Sequence, residues 1–169
     1  TQMRLKDSTD ARLARYQGWA DLVLVDAPCS GSGTLRRHPD LKWRLQPQEV
    51  AYYRQLQRQI MAAAARLLRS GGRLVYATCS LLADENEAQM AWLAHKAGGV
   101  SAAGGAAGAA GAAERAADPT GSGGAVGAGG VQATDPAWPA VSLQPVAQRY
   151  WLPQPEGGDI FFMASWMRA

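Results

Sequence analysis

Ala20-Asp21-Leu22-Val23-Leu24-Val25-Asp26-Ala27-Pro28-Cys29-Ser30-Gly31-Ser32-Gly33 and, further along, Gly71-Gly72-Arg73-Leu74-Val75-Tyr76-Ala77-Thr78-Cys79-Ser80 follow one pattern. Each holds an apolar run, and each closes on a cysteine followed by a serine. A continuous apolar run of this length predicts a strand buried on both faces of a parallel sheet. Pro28, Gly31 and Gly33 then break regular structure. Residues 26–33 are thus expected to form a loop at the carboxyl end of a strand, the edge where open α/β sheets bind ligands.

The residues between the two cysteines decide how the strands are connected. Residues 36–45 read as a loop with a turn at His38-Pro39-Asp40. Pro47 suits the first turn of a helix. Val50, Tyr53, Leu56, Ile60, Ala64, Leu67 and Leu68 recur at three- and four-residue steps, which predicts an amphipathic helix over about 47–69. Ser70-Gly71-Gly72 is the expected stop. After Cys79, Asp84 and Glu87 have the spacing of a capping box for a helix reaching about His95. Strand, helix, strand, helix is a βαβα unit, and its right-handed crossover puts the two strands in one sheet as neighbours. Both cysteine loops then share one edge.

Beyond this core, residues 97–130 hold twelve of the nineteen glycines, mixed with alanine and serine. Such a segment has little side chain to bury, so 97–135 is expected to be a disordered insertion between the core at 1–96 and C-terminal strands at 136–169. Within the last part, 141–152 reads as partly extended, Gly157-Gly158-Asp159 as a turn, and Ile160-Phe161-Phe162-Met163-Ala164-Ser165-Trp166 as a final strand.

Net charge is +3, but residues 36–69 carry eight basic side chains against two acidic ones. This run serves phosphate contacts or is simply a solvated helix face. Two cysteines without a secretory leader do not read as a disulfide framework, so a reducing, cytoplasmic setting is expected. No apolar run reaches membrane-spanning length, so no membrane partner is expected. The polar opening at Thr1 suggests the C-terminal part of something longer, with an upstream half of the same protein as its missing partner. No metal site is expected.

A thiolate is intrinsically nucleophilic, although a cysteine taken alone reads as readily as a small buried hydrophobe. Asp26, closing a buried strand, is expected to have a partner, because an unpaired buried carboxylate is costly. That partner is a backbone N–H, a ligand or a base edge. His38 reads as a turn residue.

Three stretches then carry a specific resemblance: Asp26-Ala27-Pro28-Cys29-Ser30-Gly31, Arg36-Arg37-His38-Pro39-Asp40-Leu41-Lys42-Trp43, and Gly71 through Ser80. Together they closely resemble the RsmB-type ribosomal RNA cytosine-5 methyltransferases of the Nop/Sun family. The resemblance implies an α/β fold, the C-terminal part of a class I, Rossmann-like methyltransferase with a mostly parallel sheet. It implies S-adenosylmethionine as methyl donor and RNA, ribosomal RNA in particular, as partner. Cys79 would attack C6 of a cytosine, and Cys29 would help remove the C5 proton and release the enzyme. Asp26 would hold the base edge near the donor's methyl end, and Pro28 would line the base pocket. Arg36, Arg37, Lys42 and Arg44 would hold the RNA backbone. Asp10, in Thr9-Asp10-Ala11, would contact the donor's adenine end, or else be an ordinary helix cap.

The chemistry suits two thiols. C5 of cytosine is a poor nucleophile until addition at C6 makes it enamine-like, and the addition must then be reversed by loss of the C5 proton. The base must also be unstacked or single-stranded. Two features depart from the family. Its glycine-rich donor loop and ribose-binding acid precede the position of Asp26 and have no counterpart here, so an apolar sheet edge and face should be left uncovered. The family's Asp-Gly-Phe-Phe is Asp159-Ile160-Phe161-Phe162 here. The competing reading is a catalytically incomplete or RNA-binding remnant that kept the fold. A DNA cytosine methyltransferase would not need the second thiol, and amino-methylating enzymes carry a different motif at 26–29.

Overall fold

The computed structural model describes residues 11–98, 136–152 and 158–169. Asp10 and Gly157 lie outside the described residues, as does all of the expected insertion except a turn at 97–98. Four strands form one sheet: β1 (Ala20–Asp26), β2 (Leu68–Thr78), β3 (Leu143–Trp151) and β4 (Phe161–Arg168), in the order β1-β2-β4-β3. β1 and β2 are parallel neighbours, as the crossover rule requires. β4 runs antiparallel to both β2 and β3. The α/β class and the mostly parallel direction are as expected: β1, β2 and β3 run the same way, and β4 alone is reversed. β3 follows α3 and keeps the direction of β2, whereas β4 slots between them antiparallel to the strand that precedes it.

The helices are α1 (Leu41–Arg44), α2 (Pro47–Leu67) and α3 (Glu87–Lys96). The expected loop at 36–45 thus contains a one-turn helix. α2 begins as read, with Pro47 in its first turn, and a capping box links Gln46 and Glu49. It ends earlier than the glycines, because Leu68 already takes an extended backbone (φ −65°, ψ 137°). Ser70-Gly71-Gly72 instead forms an irregularity inside β2, where the register against β1 jumps between Ala20 and Leu22. Gly71 has φ 73°, and a Cβ on Gly72 would lie 2.8 Å from the Ala20 carbonyl oxygen.

The expected capping box at α3 does not form. Asp84 pairs with Arg54 at 3.1 Å, and Glu87 accepts from the Tyr150 hydroxyl at 2.7 Å. Residues Ala83–Glu85 form a 3₁₀ turn instead, and Asn86 occupies the cap without a side-chain capping bond.

One sheet face carries the core. Val25, Leu74, Tyr76, Phe162, Ala164 and Trp166 are buried there with Met61, Ala64 and Ala65 of α2 and Leu93 of α3. The opposite face is open: Leu22 is 60% and Leu24 is 62% exposed, and Phe161 and Met167 are exposed too. β1 is therefore buried on one face only, against expectation, and its outer edge is unpaired among the described residues. That edge and face match the uncovered apolar surface foreseen from the sequence.

Candidate active site

The parallel register pairs Asp26 with Ala77, so both strands end side by side. The Ala27 N–H extends the ladder to the Ala77 carbonyl at 2.9 Å, and the chain then leaves the sheet on both sides. Cys29 and Cys79 follow on adjacent loops, each partly buried, with their sulfurs 3.4 Å apart. Two thiols separated by fifty residues in sequence thus make one hydrogen-bonded pair.

The pair is electrically asymmetric. The hydrogen bond from Cys29 is the largest influence on Cys79 and lowers its pKa to about 7 from the ordinary 9.0, against the opposing effect of burial. The same bond, together with burial, pushes Cys29 well above the ordinary thiol range. The pair thus shares one proton more readily than it holds two, and the burial of Cys29 together with the shared bond favours the thiolate on Cys79.

The Cys29 loop is seated by its glycines and serines. Gly31 has φ 71° and precedes a 3₁₀ turn at Ser32–Thr34. The Gly33 N–H donates to the Cys79 carbonyl at 2.8 Å, and the Gly33 carbonyl accepts from the Ile160 N–H at 3.1 Å. A Cβ there would lie 2.5 Å from the Ile160 oxygen and 2.8 Å from the Cys79 oxygen, so only glycine fits.

Beneath the thiols lies a buried polar cluster that the sequence reading missed. Ser30, Ser32, Ser80, Gln57, Glu85 and Asn86 are all buried. Ser30 and Ser80 both donate their hydroxyls to Glu85 Oε2 at 2.5 Å. Glu85 Oε1 accepts from the Ser30 N–H at 2.9 Å and from Gln57 Nε2 at 3.1 Å. Asn86 Nδ2 donates to the Ser80 carbonyl at 2.9 Å, and its Oδ1 accepts from Thr78 Oγ1 at 2.7 Å. The only sequence signal was the acidic run Asp84-Glu85-Asn86-Glu87, which reads as a helix cap.

Asp26 departs from expectation. Its side chain is exposed and has no hydrogen-bond partner among the described residues. β1 is covered on one face only, and Asp26 points away from that face. Its charge is still close enough to Cys79 to oppose formation of the thiolate. Pro28 is exposed, and its carbonyl accepts from Gln57 Nε2 at 3.0 Å.

The basic residues differ in what occupies them. Arg37 forms a two-point pair with Asp159, its Nε reaching Oδ1 at 3.0 Å. Arg44 pairs with Asp40 at 2.8 Å, and Lys42 lies over the Trp43 ring at 4.9 Å. Arg36 is exposed. Leu41 of α1 lies against Gly31, which places this basic segment beside the Cys29 loop.

A parallel strand pair, a helical crossover and two loops at the carboxyl edge define first a class of protein, an α/β domain of the Rossmann-like methyltransferase kind. Solved structures share the fold. The crystal structure of PH0851 matches over 89% of this chain and 27% of its own, with a TM-score of 0.53 and 28% identity. A methyltransferase homolog protein from Pyrococcus horikoshii matches over 88% of this chain and 39% of its own, with a TM-score of 0.50 and 21% identity.

The family model of the 16S rRNA methyltransferase RsmB/F matches residues 2–167, and the chain belongs to that family. It is 54% identical over 71 residues to a ribosomal RNA small subunit methyltransferase B of Sodalis glossinidius, and 50% identical over 70 residues to one of Escherichia coli. These matches cover 42% and 41% of this chain and 16% of each relative. Among the described residues, no helix is long and apolar enough to cross a membrane.

Proposed function

We propose that this chain carries the reacting groups of an RNA cytosine-5 methyltransferase acting on small-subunit ribosomal RNA. The observation that carries the reading is the asymmetric thiol pair. Two thiols stand 3.4 Å apart at the carboxyl edge of the parallel strand pair, and their shared bond lowers the pKa of Cys79 and raises that of Cys29. Cys79 is the nucleophile that adds to C6. S-adenosylmethionine, when bound, supplies the electrophilic methyl group that the activated C5 accepts.

Cys29 then takes part in elimination. Its proton is held partly by the charge on Cys79, and once Cys79 is a neutral thioether that restraint is gone. Cys29 can then lose its proton and serve as the base for the C5 hydrogen. The exposed carboxylate of Asp26, free of partners among the described residues and near the Cys79 sulfur, suits a cationic sulfonium or the amino edge of the base. Pro28, exposed beside Cys29, lines the base pocket in this reading. Arg36, Arg37, Lys42 and Arg44 lie along the segment that follows the Cys29 loop and hold the RNA backbone. Asp10 keeps its role toward the donor's adenine end as part of the same proposal.

The test is covalent trapping. The longest natural protein carrying this sequence is incubated with S-adenosylmethionine and an RNA bearing 5-fluorocytosine. Fluorine does not leave as a proton does, so a C6 adduct persists on a denaturing gel. The wild type and Cys29→Ala should form the adduct, and Cys79→Ala should not. With unmodified cytosine, Cys29→Ala should accumulate adduct that the wild type releases. An adduct that survives Cys79→Ala sinks the assignment. No adduct from a protein shown to bind the donor favours an RNA-binding remnant.

A further inference from the structure

We infer that Glu85 is a positioning residue: its buried carboxylate sets the separation of Cys29 and Cys79 by gripping the serine that follows each of them. Glu85 touches neither sulfur. It is fully buried, and the contacts of its carboxylate are four donors: the Ser30 N–H, the Ser30 hydroxyl, the Ser80 hydroxyl and Gln57 Nε2. No cation pairs with it among the described residues.

A buried carboxylate without a counter-ion is costly, and a neutral side chain would be cheaper. What the charge adds is direction. A carboxylate oxygen accepts, so one oxygen of Glu85 receives the hydrogen bonds of both serine hydroxyls. The two hydroxyl oxygens are then left to accept from the backbone. Ser30 Oγ accepts from the Ser32 N–H at 3.3 Å, and Ser80 Oγ accepts from the Leu82 N–H at 3.0 Å. Each cysteine loop is thereby tied to the same oxygen and fixed in its own turn.

The geometry runs in step. The serine oxygens lie 3.3 Å apart and the preceding sulfurs 3.4 Å apart. Glutamine at position 85 would offer one oxygen and one amide NH₂. The NH₂ would face donors, and one side of the grip would be lost. The catalytic meaning of the spacing rests on the two-thiol reading above, whereas the spacing itself does not.

The experiment uses neither RNA nor methyl donor. The full chain is equilibrated with mixtures of reduced and oxidised glutathione, and the Cys29–Cys79 disulfide is quantified by mass spectrometry. The protein thiols form one S–S bond and give up two protons and two electrons, and glutathione disulfide takes them up as two thiols. The equilibrium constant measures how well the two sulfurs are held together.

Glu85→Gln should lower that constant by about tenfold or more while circular dichroism and cooperative unfolding are retained. Ser30→Ala and Ser80→Ala should each lower it by roughly threefold or more. A folded Glu85→Gln variant within about twofold of wild type overturns the inference. If Glu85→Gln does not fold, the two serine variants decide in the same way, and constants unchanged in both overturn it. Failure of the RNA adduct assay with a responsive thiol equilibrium would remove the methyl-transfer reading and leave the grip in place.

Discussion

The backbone N–H of Gly33 donates to the carbonyl oxygen of Cys79 at 2.8 Å, so the loop bearing one thiol is bonded directly to the residue bearing the other. Ile160, the residue before β4, closes on the same glycine from the other side. Three distant parts of the sequence meet at a residue without a side chain. The approach is so close that a methyl group has nowhere to go, because both obstructing atoms are backbone oxygens. Gly33→Ala should therefore destabilise the fold by about 1–3 kcal/mol. It should also speed alkylation of Cys29 by opening its loop. Urea unfolding and thiol mapping by mass spectrometry check both effects.

Cys79 should react as a thiolate near neutrality. Its pKa is depressed to about 7, so its alkylation rate should rise through a midpoint there and fall roughly tenfold for each pH unit below it. Cys29→Ala removes the hydrogen bond that lowers it most, and the midpoint should move up toward 9.0. Iodoacetamide rates across pH 5–10 measure the shift, and an unmoved midpoint would show that the bond does not set the charge. The same sign governs stability. A depressed folded pKa contributes stability that is complete above the unfolded value near 9.0 and is lost as pH falls through about 7.

Among the basic residues, Arg36 and Arg37 should behave differently. Arg36 is exposed, whereas Arg37 already shares its charge with Asp159. Arg36→Ala should reduce the magnitude of the salt slope of RNA binding by about 1. Arg37→Ala should change it less, and Asp159→Asn should strengthen binding by freeing Arg37. Filter binding over a range of salt concentrations separates the three. Equal effects of Arg36→Ala and Arg37→Ala would contradict the difference.

The Tyr150 hydroxyl donates to Glu87 and accepts from Asn86, whose amide also holds the Ser80 carbonyl. Tyr150→Phe should cost about 1 kcal/mol of stability, the usual worth of such a hydrogen bond. A loss much above 3 kcal/mol in chemical denaturation would mean that the ring packing against Phe162, not the hydroxyl, had been disturbed.

The sheet edge and the thiol pairing were legible because they depend on strand order and chain direction alone. Two apolar runs joined by one helix must lie parallel, and whatever follows them must share an edge. The Glu85 cluster was not legible, because Glu85 stands in an acidic run whose local pattern fits a helix cap equally well. Its burial is decided by Gln57 on a different helix. Gln57 is a polar residue within the apolar stripe of α2, between Tyr53 and Ile60, and it is fully buried because the Pro28 carbonyl and Glu85 give its amide partners. Asp26 misled in the opposite direction. The run before it is apolar throughout, and sequence cannot say which faces of a strand are covered. The role of Gly33 was hidden for the same reason: the Ile160 oxygen that forbids a side chain there comes from the far end of the chain.

The tie between Asn86 and Tyr150 joins residues on opposite sides of the alanine- and glycine-rich stretch. The two ends of that stretch are held by α3 and β3. The loop-closure penalty grows slowly, about 0.6 kcal/mol for each doubling of length. The stretch is thus a natural port for engineering. A reporter or an affinity module could be spliced into it while both sulfurs keep their places, provided that one phenol still reaches one amide.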